Sequence, residues 1–381
     1  MSSKYLKRYI IAILLSFSCL IGIGQGNENN ISSNPEASDY IQKALDKAYN
    51  LEFDTAKLYR DSLSMVLEDH PAVPLVGFYI EYWKKYVSDD PEVEMQKSLE
   101  YLQETAKRAD EGLQKNSSDP EMNFMALAAY GFITEHYYRK NQNLKAISKA
   151  KIAYTFMKKG FSMQDEYSEF FYTTGLYNFY REVFPNYHSY FKPFMWFFKS
   201  GDEDLGLEQL EVAYNQATFT RVEALNYLVH LHMHYEDDPE KSLKWSKELV
   251  ELYPNNPRFI GLALENYCVL GRSVEARRLL EKMKNSSAKQ PAEMLDFFEG
   301  YVNELEGGDL QYSLNKYEEA MEELKSGKED TDHLESLILA GTYRVYDRMG
   351  DKEKSQKHKK RALDKAKYPL VKNRMILSYH K

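Results

Sequence analysis

A small residue recurs near the start of the second helix in each of about eight predicted helix pairs, and this repeat limits the possible folds. Apolar residues between these positions recur at i, i+3, i+4 and i+7, the period of an α-helix, and Pro or Gly separates most segments. A helical repeat of this length predicts a solenoid, in which neighbouring pairs bury each other's apolar faces. The small positions, 34 to 60 residues apart, are Ala56, Ser98, Ala146, Gly206, Ser242, Ala276, Ser313 and Ser355.

The segment 220–325 carries a more specific pattern. A small residue is followed four positions later by a bulkier one and three positions after that by another small or apolar one, as in Ala276, Leu280 and Met283. Ser242, Ser246, Leu249 and Pro254 occupy the same places 34 residues earlier, with a proline that ends the helix. In these residues and their spacing the chain resembles the tetratricopeptide repeat (TPR) family. The resemblance implies an all-α fold, a right-handed α-solenoid of about eight helix hairpins over residues 37–366, with a concave groove.

An aromatic insert interrupts the repeat at about residues 184–201. Aromatic residues make up 14 of the 29 positions from 170 to 198, and the motif Gly201-Asp202…Gly206-Leu207…Leu210 follows them. This arrangement resembles secreted bacterial TPR proteins that carry an aromatic insert before a "GD…GL..L" helix. The rings either fill the inside of the superhelix, as large apolar side chains usually do, or line a pocket for a partner or ligand. A third interpretation places them at a membrane surface.

The first 24 residues predict export. Lys4, Lys7 and Arg8 precede the apolar run 10–23, and Gly22-Ile23-Gly24 offers a small-x-small cleavage site, which together describe a signal peptide. Lipidation at Cys19 is an alternative, although the residues before it do not form a lipobox. We expect a flexible N-terminus over residues 25–36, a C-terminal cap or tail over 367–381, and a periplasmic or outer-membrane-associated location in a bacterium.

Composition excludes several classes of protein. Hydrophobic residues form 43% of the chain, which is too many for a disordered protein, and two cysteines cannot build a disulfide scaffold. The formal net charge of -8 predicts no nucleic-acid partner, because nucleic-acid binding relies on basic patches that release counterions. No phosphate-binding glycine loop, G-x-S-x-G elbow or cysteine pair for zinc is present. We therefore expect neither an enzyme nor a cofactor.

The sequence feature that most resembles a metal or catalytic site is the string His230-Leu-His232-Met-His234. On a helix His230 and His234 share a face and could bind a metal, with a third ligand from Glu236, Asp237 or Asp238. We expect instead that these histidines are structural or line the groove. They remain weak metal candidates, and a metal-dependent enzyme is the least favoured alternative function.

The sequence therefore predicts a non-enzymatic TPR scaffold of the bacterial cell envelope that docks a protein or a small ligand in its concave groove. The alternative is an accessory, solute-handling component of an envelope transporter. A protein partner is expected, with a small-molecule ligand and peripheral membrane contact as further options. Eight residues of the insert and the groove are the candidate binding residues: Tyr180, Tyr187, His188, Tyr190, Phe194, Trp196, Tyr227 and His234.

Overall fold

The computed structural model describes residues 30–187, 199–286, 288, 290–326 and 332–377. Within these ranges the chain forms α-helices joined by short connections and contains no strand. The helices are α1 (Pro35–Tyr49), α2 (Phe53–Val66), α3 (Ala72–Lys84), α4 (Pro91–Lys115), α5 (Pro120–Arg139), α6 (Asn143–Met163), α7 (Phe170–Tyr187), α8 (Glu203–Gln216), α9 (Arg221–His234), α10 (Pro239–Leu252), α11 (Pro257–Val269), α12 (Ser273–Lys284), α13 (Ala292–Leu305), α14 (Leu310–Ser326), α15 (Asp332–Arg348) and α16 (Lys352–Lys365).

The helices pack in sequential pairs, α1 with α2 through α15 with α16, and each pair packs on the next. The predicted all-α solenoid of about eight hairpins is therefore confirmed. All eight small positions predicted from the repeat are buried in the second helix of a pair. The hydroxyls of Ser242 and Ser313 each donate a 2.9 Å hydrogen bond to a carbonyl of the first helix, that of Val229 and of Gly300. A larger side chain at these positions would push the two helices apart.

Short polar side chains set the starts of many helices. Asp90, Asp119 and Asp238 each stand directly before a proline, and each accepts a hydrogen bond from a backbone N–H of the first helical turn. Proline costs nothing at the first helical position, where its missing N–H would have had no partner inside the helix. Asp202 caps α8 in the same way, without a proline. The acidic residues at these helix starts are thus caps.

The "GD…GL..L" motif follows from a close helix crossing. A Cβ atom on Gly206 of α8 would lie 2.7 Å from the backbone nitrogen of Phe179 and 2.8 Å from the carbonyl oxygen of Gly175, both on α7. Only glycine therefore permits this backbone-to-backbone contact. The crossing fixes α8 on α7 immediately after the insert.

The N-terminal hairpin packs against helices far along the chain. Asp46 of α1 accepts hydrogen bonds from Arg221 of α9 at 2.8 Å and from the Tyr253 hydroxyl at 2.6 Å. Tyr49 is fully buried there, with its ring centre 5.1 Å from that of Trp83 and 6.3 Å from that of Phe259. This end of the superhelix interior is therefore filled by the chain's own rings.

Both ends of the described chain are held in place. Ile31 is buried, and its N–H donates to the Glu121 carboxylate at 3.1 Å, so this residue is attached to α5. The flexible N-terminus expected over 25–36 stays a prediction. A π-helical turn, Val371–Leu377, packs on α15 and α16, and Arg374 reaches the Asp237 carboxylate at 2.8 Å. The C-terminal segment therefore crosses back to the connection between α9 and α10.

The expected signal peptide, residues 1–24, lies outside the described residues, as does Cys19. Cleavage and lipidation therefore stay predictions. Among the helices that are described, none combines the length and the apolar content needed to cross a membrane.

Candidate functional site

Aromatic and imidazole rings from several repeats meet at one place on the inner side of the solenoid. We call this group the histidine–tyrosine cluster. Its members come from α7, α9, the residue after α9, α15 and the C-terminal segment: Tyr180, Tyr227, His230, His234, Tyr235, His333 and Tyr368. Side chains from pairs three repeats apart can meet only on the concave side, where successive helices converge. The cluster therefore lies in the groove.

The rings gather around Tyr368, whose ring centre lies 4.9 to 5.5 Å from four others, those of His230, His234, Tyr235 and His333. The His234 ring centre lies 4.7 Å from that of His230, 4.6 Å from that of His333 and 4.9 Å from that of Tyr368, on which it stacks at 28°. The ring centre of Tyr235 lies 5.2 Å from that of Tyr368 and 5.6 Å from that of Tyr180. Ring separations in this range are those of favourable aromatic pairs.

Local structure explains how α9 presents these side chains. His230 and His234 are one helical turn apart and therefore share a face. The start of α9 is fixed by the buried Glu169 carboxylate, which accepts hydrogen bonds from the backbone N–H groups of Thr218, Phe219 and Thr220 at 2.7 to 2.9 Å. These are N–H groups at a helix N-terminus that would otherwise lack partners. Since Glu169 precedes α7, it fixes α9 relative to α7.

The end of α9 is equally well defined. Asp237 adopts a left-handed backbone conformation with φ 54, which a short polar side chain tolerates better than most. Its carboxylate receives hydrogen bonds from Arg374 at 2.8 Å and from the Asn373 amide at 3.2 Å. These contacts hold the C-terminal segment against α9, and this brings Tyr368 onto His234.

Burial keeps His230 and His234 neutral. It lowers the pKa of His230 to about 4 and the pKa of His234 well below its usual value, with the neighbouring His333 as a further cause. Burial also raises the pKa of Tyr227 to about 12 and raises the pKa of Tyr180. At neutral pH these imidazoles and phenols are therefore all uncharged.

Three residues of the site have polar atoms that find no hydrogen-bond partner among the residues that the structure describes. They are Nδ1 of His234, both ring nitrogens of His333, and Oε1 of Glu265, which lies on α11 beside the cluster. His333 Nε2 and Glu265 Oε1 are 3.6 Å apart, too far for a hydrogen bond. One ligand atom from each of the three residues lies within 4.8 Å of the other two, so together they could hold a metal ion.

The structure brings together three of the eight predicted binding residues, Tyr180, Tyr227 and His234, and adds His230. Four others lie outside the described residues: His188, Tyr190, Phe194 and Trp196. Tyr187 ends α7, and its side chain is likewise not described. Whether the insert forms a pocket therefore stays a prediction, while the earlier rings Phe170 and Phe179 are completely buried in the core.

The acids next to the histidines in sequence have other roles. Asp237 pairs with Arg374, and Asp238 caps α10 by accepting from the Lys241 N–H at 3.1 Å. Glu236 hydrogen-bonds with Glu203 and raises the pKa of that carboxyl to about 7. The carboxylate nearest His234 and His333 in the structure is Glu265.

Sequence reasoning missed Tyr235, Glu265, His333 and Tyr368. Glu265 left one signal, because it lies 35 residues after His230, about one repeat, and so at an equivalent place on the next first helix. His333 and Tyr368 left none, because their approach depends on the curvature of the solenoid and on the return of the C-terminal segment.

Comparison with known proteins adds little to this geometry. No protein-family model matches the chain, and no curated protein is similar enough to match. Three solved structures of human IFIT1 are similar. A dimer with m7Gppp-AAAA is 12% identical over 82% of this chain and 68% of that chain, with a TM-score of 0.38, and a dimer with PPP-AAAA is 12% identical over 87% of this chain and 94% of that chain, with a TM-score of 0.35. A monomeric mutant with Gppp-AAAA is 9% identical over 87% of this chain and 74% of that chain, with a TM-score of 0.30. These TM-scores are low, so the fold assignment rests on the chain's own helices.

Proposed function

We propose that this chain is a non-enzymatic binding protein of a bacterial cell envelope, which docks a protein segment on the concave face at the histidine–tyrosine cluster. The observation that carries this proposal is the convergence of rings from α7, α9, α15 and the C-terminal segment in one contiguous cluster. Several of these rings, including Tyr180, Tyr227 and Tyr368, are only partly buried. They therefore retain surface that a ligand can cover.

The side chains of the histidine–tyrosine cluster are well suited to binding a protein segment. Tyrosine combines a large apolar face with a hydroxyl, loses little conformational entropy on binding, and is enriched at binding hot spots. The ring contacts extend beyond the cluster to Tyr172, whose ring centre lies 5.8 Å from that of Tyr227, and at the other side they end at His333. Rings contributed by three of the eight helix pairs and by the C-terminal segment can contact several side chains of one docked segment.

Export is the second part of the proposal. It rests on the basic start, the short apolar run and the small residues before Gln25. Terminal sequencing of the protein from the envelope fraction of its host should give a mature chain that begins at Gln25. A chain that retains Met1 in the cytosolic fraction would contradict the proposed location. The expectation that nucleic acid is no partner rests on net charge alone and stays a prediction.

Site-specific photocrosslinking tests the docking surface. A photoreactive amino acid at Tyr227 should yield a discrete adduct with a protein partner in cells. The same substitution at Tyr312 should not, because this 43%-exposed tyrosine of α14 is outside the cluster. The Tyr227→Ala variant should lose the partner in co-purification, and Tyr312→Ala should keep it. Equal adducts at both positions, or no protein adduct at Tyr227, would remove the cluster from the proposed function.

A further inference from the structure

Glu265, His234 and His333 meet although they lie on three different repeats. His234 is the last residue of α9, Glu265 is in the middle of α11, and His333 is the second residue of α15. Their potential ligand atoms all lie within 4.8 Å of one another. The convergence is therefore a product of the superhelix and not of one local motif.

The same three residues carry polar atoms that the protein does not satisfy. His234 is only 4% exposed, and its Nδ1 has no partner, like both ring nitrogens of His333 and Oε1 of Glu265. Each buried polar group left unpaired costs about 1–3 kcal/mol, and native proteins contain few of them. Because one ligand atom from each of the three residues lies within 4.8 Å of the other two, the unpaired atoms indicate a site that a bound species completes.

We infer that His234, Glu265 and His333 bind a divalent first-row transition metal ion, with zinc as the reference ion. Two imidazoles and one carboxylate are a common set of zinc ligands, and the same donors suit other ions of this series. Calcium and magnesium prefer sites made entirely of oxygen atoms, so two nitrogen donors select against them. Three protein ligands leave a coordination position open, as in zinc sites that bind an exchangeable ligand.

Side-chain rotation completes the site. Ligand atoms around a tetrahedral zinc ion lie about 3.4 Å apart, given metal–ligand distances of about 2.1 Å. The 4.8 Å limit observed here is wider, so binding draws the three side chains inward. Two rings of the cluster lie beside the site. Tyr368 stacks on His234, and the ring centre of His230 lies 4.7 Å from that of His234.

The bound ion would link α9, α11 and α15, and three protein ligands leave it one further coordination position. A side-chain donor of the docked segment could occupy that position, and this role rests on the proposed function. Metal binding itself does not rest on it. A metal at this site also adds stability, because an ion that binds only the folded chain shifts the unfolding equilibrium by mass action.

Calorimetric titration with Zn²⁺ alone tests the inference. The chain is purified without a polyhistidine tag, treated with a chelator and exchanged into metal-free buffer. We expect one Zn²⁺ per chain, a rise in melting temperature, and a visible Co²⁺ spectrum of low-coordinate type when cobalt replaces zinc. His333→Ala and Glu265→Gln should each weaken binding more than about tenfold, since even residues behind the ligands contribute 10- to 100-fold.

Two variants are controls. His358→Ala removes a histidine of α16 whose ring stacks on Tyr346, away from the cluster, and should bind Zn²⁺ like the wild type. His234→Phe keeps a ring in place and should bind no stoichiometric zinc. No binding by the wild type, or equal binding by the wild type and the His333→Ala variant, overturns the inference.

Crosslinking at Tyr227 in the presence of a chelator separates the two proposals. Loss of zinc binding with retained crosslinking leaves the docking proposal standing. Stoichiometric zinc without any crosslinked protein leaves the metal site standing and contradicts docking.

Discussion

Arg344 and His333 lie on the same helix, α15, yet the polar groups around them are arranged in opposite ways. The Arg344 guanidinium donates to both carboxylate oxygens of Glu304, at 2.7 and 2.8 Å, and lies over the Tyr301 ring. Tyr317 donates a third hydrogen bond to Glu304 at 2.8 Å. Around His333, in contrast, the nearest carboxylate is 3.6 Å away, and both ring nitrogens lack a partner.

The difference separates a structural site from a candidate binding site. A buried ion pair in which both carboxylate oxygens accept hydrogen bonds needs no ligand from outside the chain. Losing one partner is costly because the other charge remains buried. Buried polar atoms without partners already weaken the folded state, and a ligand can remove that penalty. Substitutions at the two sites should therefore change stability in opposite directions.

Arg344→Met should have the largest effect. Glu304 would keep the Tyr317 hydroxyl but lose its buried counter-ion, and we expect the free energy of unfolding to fall by about 3–5 kcal/mol. Urea denaturation measures the change. The triple variant Arg344→Met/Glu304→Met/Tyr317→Phe should recover most of the loss, since neither a buried charge nor an unpaired buried hydroxyl remains. A loss below about 1 kcal/mol in the single variant would mean that the pair is not buried as described.

Tyr317→Phe should lower the free energy of unfolding by about 2 kcal/mol, because it removes a hydrogen bond to a charged group and leaves the ring packing in place. The same urea measurement applies. Tyr312→Phe, at an exposed tyrosine whose hydroxyl bonds Glu299, is the matched control and should change stability little. Equal losses in both variants would show that burial at Tyr317 contributes nothing.

Lowering the pH should reduce the free energy of unfolding, because His230 in the histidine–tyrosine cluster is buried in its neutral form. The pKa of His230 is about 4 in the folded chain, below the value of about 6.5 in the unfolded chain. The unfolded state therefore takes up the proton first, and stability present above pH 6.5 is lost as the pH falls toward 4. We expect about 1–2 kcal/mol of loss from His230 by pH 5 in chelator-containing buffer.

The His230→Phe variant isolates this contribution from those of other titrating groups, including the neighbouring His234. Its free energy of unfolding should fall less steeply between pH 7 and pH 5 than that of the wild type. Parallel curves would contradict the lowered pKa.

His234→Phe should give the smallest change and the opposite sign. In metal-free buffer at pH 8, replacing the imidazole by an apolar ring removes the unpartnered Nδ1, and we expect a gain of about 1 kcal/mol in the free energy of unfolding. With zinc present the wild type should have the higher free energy of unfolding, because the ion stabilises only the chain that binds it. Destabilisation of this variant in both conditions would show that the apo site is already complete.

The repeat was predictable because its causes are local. Helical period, aspartate caps before proline, and small residues at crossings act within one pair, so all eight small positions lie buried where the spacing put them. The motif around Gly206 was visible as a pattern, and the close approach to Gly175 supplies its reason. Tyr180, Tyr227 and His234 were chosen from the aromatic segment and the repeat, and their role in binding stays a prediction.

The candidate metal site could not be predicted in full. His230 and His234 were visible as an i, i+4 pair, but the acids nearest in sequence are occupied elsewhere, Asp237 by Arg374 and Asp238 by the start of α10. The nearby carboxylate comes from Glu265 and the other imidazole from His333. No spacing in the sequence marks these two residues as neighbours.

By itself, then, the sequence determined the elements of this protein, their pairing and the register of their buried faces, because these depend on contacts a few residues to one repeat apart. The tertiary structure decided which groove residues meet. Small rotations between successive pairs add up along the solenoid, and their sum brings α15 beside α9 and α11. The contact between Arg374 and Asp237 then brings Tyr368 onto His234. Such distances depend on the packing of every intervening repeat, and no local pattern records that sum.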